Sequence, residues 1–467
     1  MSEWDVVVVG TGAAGLCAAI EASDAGKRVL LVESEETAGG SSLISGGMIM
    51  AAGTELQSEQ GIDDSADAFY HDYLMHTQWK VIPALAKKIA QDSAAAISWL
   101  SGKGVRFYDE LNDAGYDGVP RTHAAIGRGA GIIEPLLGEV ESRGIEIRLR
   151  SRVTRLTTDR ERVTGVDTTT GEYRAQSVIL ATGGFGANPE RVRELMPHTA
   201  SAGDWLWYIG AEGARGDALD LAEQVDAQIT GHGRGVSMLT PDFVRQFEGY
   251  QPGWLVLVNK HGKRFVDETL PYGLMDGVVQ AQPDAVVYAI FDDAAKNAVA
   301  PGDPAAYRLQ IASLPDRPSP NWDREMIDRQ IAAGKVQRAE SLELLAELLG
   351  LPAAALAGTA RRYNDSVDRG ADLDFGKPGK FLRPLASGPF YGVELRLATI
   401  CLTSTGLQTD DEGRVLGTSG SPIEGLFAAG ECTGGTLGDR YVGTGNSWIN
   451  CVVFGRAAGK AAAEPVS

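Results

Sequence analysis

The first 33 residues constrain the fold more than any other stretch. Trp4-Asp5-Val6-Val7-Val8-Val9 is an apolar run of strand length, and Gly10-Thr11-Gly12-Ala13-Ala14-Gly15 follows at once. Leu16 to Ala25 reads as a helix of small residues, and Arg28 to Val32 as a second buried strand ending at Glu33. Strand, glycine turn, helix, strand and acid in this order form the βαβ unit that binds a dinucleotide. Gly10 permits the tight turn, Gly12 lets a pyrophosphate approach the backbone, and Gly15 lets helix and strand pack closely. Ala13 and Ala14 open the helix, whose free N–H groups and partial positive charge face the phosphates. Glu33 stands where an acid accepts from ribose hydroxyls.

A length of 467 residues predicts one to three domains. The 58 glycines follow no G-X-Y period and point to many close backbone approaches, as in a large cofactor site. A formal charge of −19 argues against nucleic acid and anionic membrane surfaces as partners, although a local arginine cluster can still take an acidic substrate. No stretch reaches the apolar length of a membrane-spanning helix. The chain enters its first strand at once, so no signal peptide is expected. Cys17, Cys401, Cys432 and Cys451 form no CxxC. Together these features predict a cytoplasmic location. The six histidines show no metal spacing, so no metal is expected.

Beyond Glu33, Gly39-Gly40-Ser41-Ser42 and Ser45-Gly46-Gly47 supply N–H and hydroxyl donors and read as a segment laid against the cofactor. Residues 64 to 102 read as amphipathic helix, and 152 to 168 as strands of a small sheet. Ala175 to Leu180 is a buried strand ending in Ala181-Thr182-Gly183-Gly184. Residues 236 to 395 change character, with late prolines and a helix over Ala339 to Leu349, and read as a domain inserted into the first. That divides the chain into 1–235, 236–395 and 396–467. Gly425 to Glu431 returns to strand, turn and acid. Trp448 to Ala463 is a helix of small residues that brings a second N-terminus to the cofactor.

These stretches, with Asn259 to Glu268, Arg362-Tyr363-Asn364, Phe375-Gly376-Lys377 and Phe454 to Gly459, resemble the FAD-dependent fumarate reductase and 3-ketosteroid dehydrogenase superfamily. The resemblance implies an α/β fold, with a Rossmann-like FAD domain and an inserted α+β capping domain for the substrate. It implies FAD held without a covalent bond, since the serine-rich loop carries no attachment histidine. The FAD residues would be Gly10, Gly12, Ala13, Ala14, Gly15, Glu33, Ser34, Gly39, Gly40, Ser41, Ser42, Ser45, Gly46, Gly47, Val153, Ala181, Thr182, Gly183, Gly184, Gly430, Glu431, Gly445, Asn446, Ser447 and Ile449. The implied chemistry is oxidation or reduction of a C–C bond beside an activating group.

The family's branches differ in how they activate the substrate. The fumarate branch carries an arginine proton donor just after its RFVNE-like motif, where this chain has Tyr272. It also has a histidine before a TMGG-like turn, and Cys401-Leu402-Thr403-Ser404-Thr405-Gly406 has none. The 3-ketosteroid branch looks closer, with a Pro-Tyr element like Pro271-Tyr272 and a late element like Tyr441-Val442-Gly443-Thr444-Gly445. By that likeness Tyr272 is the base, Tyr441 and the Gly445 amide polarise a ketone oxygen, and Tyr116, with Tyr108 second, supports the base. Removing a hydrogen beside a ketone needs such an oxyanion hole, and a tyrosine base must be tuned down from its ordinary pKa near about 10.

The expected activity is therefore desaturation of a cyclic ketone. The substrate would be a ketosteroid or a cyclohexanone-like ring, with electrons leaving to an external quinone or electron-transfer protein. The alternative is a fumarate reductase-like or tricarballylate dehydrogenase-like enzyme acting on a carboxylate. Arg440 motivates it, because the fumarate branch places a substrate-binding arginine just before its final glycine turn. Arg128, Arg234 and Arg245 are further candidates. A flavin carrier with no substrate of its own is a third reading, disfavoured by the inserted domain.

Overall fold

The computed structural model describes residues 4–464 except 114, 116, 117, 232, 234, 245–250, 299–321 and 439. Tyr116, Arg234 and Arg245 therefore lie outside the described residues. The chain forms two compact units, one of residues 1–197, 210–236 and 401–467, the other of 198–209 and 237–400. Residues 198–209 join the second unit because Trp207–Tyr208 pairs in parallel with Thr399 and Ile400.

The first unit is built on an eight-stranded sheet. Its centre is Trp4–Val9 (β1), paired in parallel with Val29–Val32 (β2) on one side and Glu172–Leu180 on the other. Pro422–Ala428 extends it in parallel beyond Glu172–Leu180, and Glu146–Arg148 beyond β2. The central strands β1 and β2 carry near-continuous apolar runs because both faces of the sheet are covered there. Ala13–Asp24 (α1) crosses from β1 to β2. The C-terminal helix, Asn446–Ala462, lies against α1 on small residues. A Cβ on Gly455 would fall 2.5 Å from the Ala14 carbonyl oxygen, and one on Gly459 2.3 Å from that of Ala18.

The long amphipathic stretch is two helices, Ala66–Thr77 and Pro83–Gly102. Gln78 and Trp79 both adopt left-handed backbone and end the first, and Pro83 opens the second.

In the second unit a sheet runs Gly235–Thr240, Phe390–Thr403, Val286–Asp292, Val256–Asn259. Its strand Val286–Asp292 is buried along its whole length, with a separate apolar core on each face. The expected helix over 339–349 is shorter, Leu342–Leu349, because Gln337–Ala339 pairs as a strand with Phe390–Gly392. Among the described residues no helix is long and apolar enough to cross a membrane.

Candidate functional site

In the first unit the glycine turn does what its spacing requires. Gly10 adopts a φ of +104°, and a Cβ there would strike the Ala181 carbonyl oxygen at 2.3 Å. A Cβ on Gly15 would lie 2.0 Å from the Gly10 carbonyl oxygen, so helix and strand touch there. At Gly12 a Cβ would meet only Ser42 Oγ, at 3.5 Å, and the Gly39 carbonyl oxygen, at 4.0 Å. Gly12 thus keeps open space beside the α1 N-terminus.

That space is a groove of about 780 Å³. Of the residues singled out from the sequence, Gly10, Gly12, Ala13, Ala14, Glu33, Ser34, Gly40, Ser41, Ser42, Val153, Ala181, Thr182, Gly183, Gly430 and Glu431 line it. Gly15, Gly39, Ser45, Gly46, Gly47, Gly184, Gly445, Asn446, Ser447 and Ile449 do not. Gly184 supports the groove from behind, since a Cβ there would overlap Glu431 Oε1 and Thr403 Oγ1; a Cβ on Gly47 would overlap the Arg128 backbone.

Glu33 is buried and fixed before any ribose arrives. Its carboxylate accepts from Thr11 N (2.9 Å), Thr11 Oγ1 (2.5 Å) and Glu35 N (3.0 Å). Thr11 Oγ1 in turn accepts from Gly39 N at 3.0 Å, which ties the serine-rich segment to the turn. Ser42 Oγ accepts from Ala13 N at 3.1 Å, and Ser41 Oγ from Ala211 N at 2.9 Å. The serines therefore organise the loop around the helix N-terminus as well as facing the groove.

The sequence reading passed over Thr11, Glu35, Ser151, Ala211, Gly213, Ala214 and Asp217, which also line the groove. The signal was present in Gly210-Ala211-Glu212-Gly213-Ala214-Arg215-Gly216-Asp217, a glycine-spaced run ending in an acid. Arg152 Nη1 donates to Asp217 at 2.5 Å, yet burial still holds the Asp217 carboxyl above its usual range. Glu431 is also pushed up by burial, while Thr403 donates to its Oε1 through N (2.7 Å) and Oγ1 (2.9 Å).

The groove fits the extended diphosphate and sugars of FAD. It combines a helix N-terminus, a glycine cradle, a fixed acid and Thr182 Oγ1, a buried hydroxyl with no partner among the described residues. When bound, FAD supplies the hydride chemistry.

At the second helix N-terminus Gly445 has a φ of +106°, and a Cβ there would lie 2.7 Å from Met50 N. Tyr441 is buried. Its hydroxyl accepts from Ser447 N at 2.9 Å and lies 3.0 Å from Ser447 Oγ, so it caps the C-terminal helix. Burial drives its pKa upward, with the Ser447 and Gly445 amides opposing. Arg440, next to it, is half-buried, and its Nε is buried without a hydrogen-bond partner among the described residues.

In the second unit, half-buried Tyr272 is the first residue of the helix Tyr272–Gln280, capped by Pro271. Three of the sequence motifs meet just before it in one buried ionic cluster. Arg264 donates to Glu268 through Nε and Nη2 and to Asp372 through Nη2, each at 2.7 Å. Lys377 Nζ lies 3.3 Å from Glu268 and donates to the Leu255 carbonyl at 2.7 Å. The Arg264 guanidinium stacks over Tyr363, 5.0 Å from the ring centroid.

The FAD binding domain family matches residues 5–448. A fumarate reductase (cytochrome) of Shewanella frigidimarina is 32% identical over 98% of this chain and 77% of its own length. The chain belongs to the FAD-dependent fumarate reductase flavoprotein family. A vinyl phenol reductase of Lactiplantibacillus plantarum is 31% identical over 99% of the flavoprotein and 96% of its own length. In structure, the 3-ketosteroid-Δ4-(5α)-dehydrogenase of Rhodococcus jostii RHA1, solved with 4-androstene-3,17-dione, matches with a TM-score of 0.80. It is 27% identical over 99% of this chain and 97% of its own. This flavoprotein is thus a FAD-dependent oxidoreductase. Its sequence relatives are named reductases or oxidoreductases of unsaturated acids and related compounds, while its structural neighbours include both a fumarate reductase and ketosteroid dehydrogenases.

Proposed function

We propose that this flavoprotein reduces a carbon–carbon double bond activated by a carboxylate. The observation that carries the reading is Arg440. A buried guanidinium nitrogen with no hydrogen-bond partner in the described protein calls for an anion, and a carboxylate matches the fork of an arginine. The flavoprotein's reductase relatives by sequence support the same direction of reaction.

In this reading Arg440 binds and orients the carboxylate, a proton is delivered to the carbon beside it and the neighbouring carbon receives hydride; Tyr272 is the candidate proton donor. Tyr272 stands where the fumarate branch carries its arginine donor. A tyrosine hydroxyl, with an ordinary pKa of about 10, holds its proton at neutral pH and is already prepared to give it. The reverse reaction would need that hydroxyl deprotonated first. The electrons come from an external donor.

A second reading, reduction or desaturation of a cyclic enone or ketone, is favoured by the Pro271-Tyr272 element and by the likeness to the Rhodococcus structure. Against the use of Tyr441 as its oxyanion donor is the engagement of that hydroxyl with Ser447.

The test is binding of a saturated carboxylate, 3-phenylpropionate or succinate, read from the flavin spectrum of wild type and Arg440→Ala. Loss of a charge-assisted contact predicts binding weaker by about 1.5–3 kcal/mol with FAD content unchanged. Equal affinity in both proteins would remove the carboxylate reading.

A further inference from the structure

We propose that Tyr73 is a positioning residue for the substrate-binding stretch around Arg440 and Tyr441, and that its single hydroxyl clips both ends of that stretch together. The inference rests on the reading of Arg440 as the carboxylate's partner.

Tyr73 lies on the helix Ala66–Thr77 and is fully buried. Its hydroxyl donates to the Thr436 carbonyl at 2.7 Å and accepts from Asn446 Nδ2 at 2.9 Å. Thr436 precedes Arg440 and Asn446 follows Tyr441, so one oxygen closes the segment that carries both. One bond goes to a backbone carbonyl and the other comes from a side-chain amide, both buried, where an unmade partner is expensive.

Near its C-terminal end the segment is also tied by Thr122 Oγ1, which donates to the Thr444 carbonyl at 2.9 Å, and by Met50 N, which donates to the Gly445 carbonyl at 3.2 Å. Asn446 Oδ1 and Thr436 Oγ1 are buried without partners among the described residues, so neither residue has a second side-chain anchor. Ile82 N donates to the Gly435 carbonyl at 2.7 Å and pins the approach to the segment. Ser447 holds Tyr441 at the far end. Between these points the Arg440 Nε makes no hydrogen bond to the described protein. Its place therefore follows the backbone, whose two ends the Tyr73 hydroxyl joins. A binding group displaced by about 1 Å can lose on the order of a hundredfold in effect.

The test is Tyr73→Phe in the FAD-loaded enzyme, which removes one oxygen and keeps the ring. With 3-phenylpropionate and succinate as probes, the dissociation constant should rise about tenfold. Spectrally measured FAD content should remain that of wild type. In the Tyr73→Phe/Arg440→Ala double variant the further loss should be less than about twofold, because the hydroxyl acts through Arg440. A Tyr73→Phe enzyme that binds both probes like wild type, beside a weakened Arg440→Ala, would overturn the proposal alone. So would losses that simply add. An Arg440→Ala enzyme that binds like wild type would overturn the carboxylate reading and this proposal with it. Hydrogen exchange on the wild-type holoenzyme needs no variant. Carboxylate binding should slow exchange in Phe69–Thr77 together with residues 441–446, and protection confined to 441–446 would also overturn the clip.

Discussion

Single residues in this protein act mostly through what holds them. Glu33 was legible from the sequence because its offset from Gly10 is set by the βαβ unit. Thr11, which fixes its carboxylate with two hydrogen bonds, was not, because any residue can occupy the middle of a GxG. Tyr441 was legible as a tyrosine beside a glycine turn, but its commitment to Ser447 depends on where the helix begins. His123 carried no signal at all, and it is the residue with the clearest pH consequence. It is buried between Thr54 Oγ1 and the Arg121 carbonyl, each at 3.0 Å. The carbonyl can only accept, so Nδ1 carries the proton and Nε2 takes the threonine hydroxyl. Burial pushes its pKa down to about 4, below the unfolded value of about 6.5. As pH falls through that window the unfolded chain takes a proton that the folded chain refuses. Stability should therefore drop by up to about 3 kcal/mol between pH 6.5 and pH 4. Urea unfolding across that range should show a shallower slope in His123→Asn, and an unchanged slope would contradict the assignment.

At the scale of elements, the strands and helices around the cofactor were legible because their apolar runs and small residues must satisfy burial on both sides. The break at Gln78 and Trp79 was not. Neither residue is a turn former, and the bend is fixed further by Ile82 N donating to the distant Gly435 carbonyl. The contact between α1 and the C-terminal helix is the element-level feature with the least tolerance. Gly455→Ala would set a methyl 2.5 Å from the Ala14 carbonyl oxygen, with backbone on both sides. The helices must part, at a cost of about 1–3 kcal/mol. Because Ala14 also lines the FAD groove, thermal melts followed by flavin fluorescence should show a lower midpoint and earlier FAD release. A midpoint and release like those of wild type would show that the two helices are not in close contact.

Across the whole molecule, the change in composition marks out 236–395, while the second compact unit covers 198–209 and 237–400, the short preceding segment joining it where Trp207–Tyr208 pairs with Thr399 and Ile400. What composition could not show is that Arg264, Glu268, Tyr363, Asp372 and Lys377 meet in one buried cluster, because they come from separate stretches of sequence. Removing one partner from such a cluster leaves charge buried and unpaired. Glu268→Ala should therefore lower stability by about 3–5 kcal/mol in denaturant unfolding, and a loss below about 1 kcal/mol would mean the cluster is not formed.

The central claim, reduction of a carboxylate-activated double bond, is tested most directly by the flavin itself. The protein would be reduced anaerobically with dithionite and mixed with fumarate, acrylate, cinnamate, cyclohexenone or 4-androstene-3,17-dione while the oxidised flavin absorbance is followed. Arg440 and the reductase relatives predict that an unsaturated carboxylate restores the oxidised spectrum and that Arg440→Ala slows it. Reoxidation by the enones alone, at the same rate in Arg440→Ala, would contradict the claim and return the enzyme to cyclic ketones.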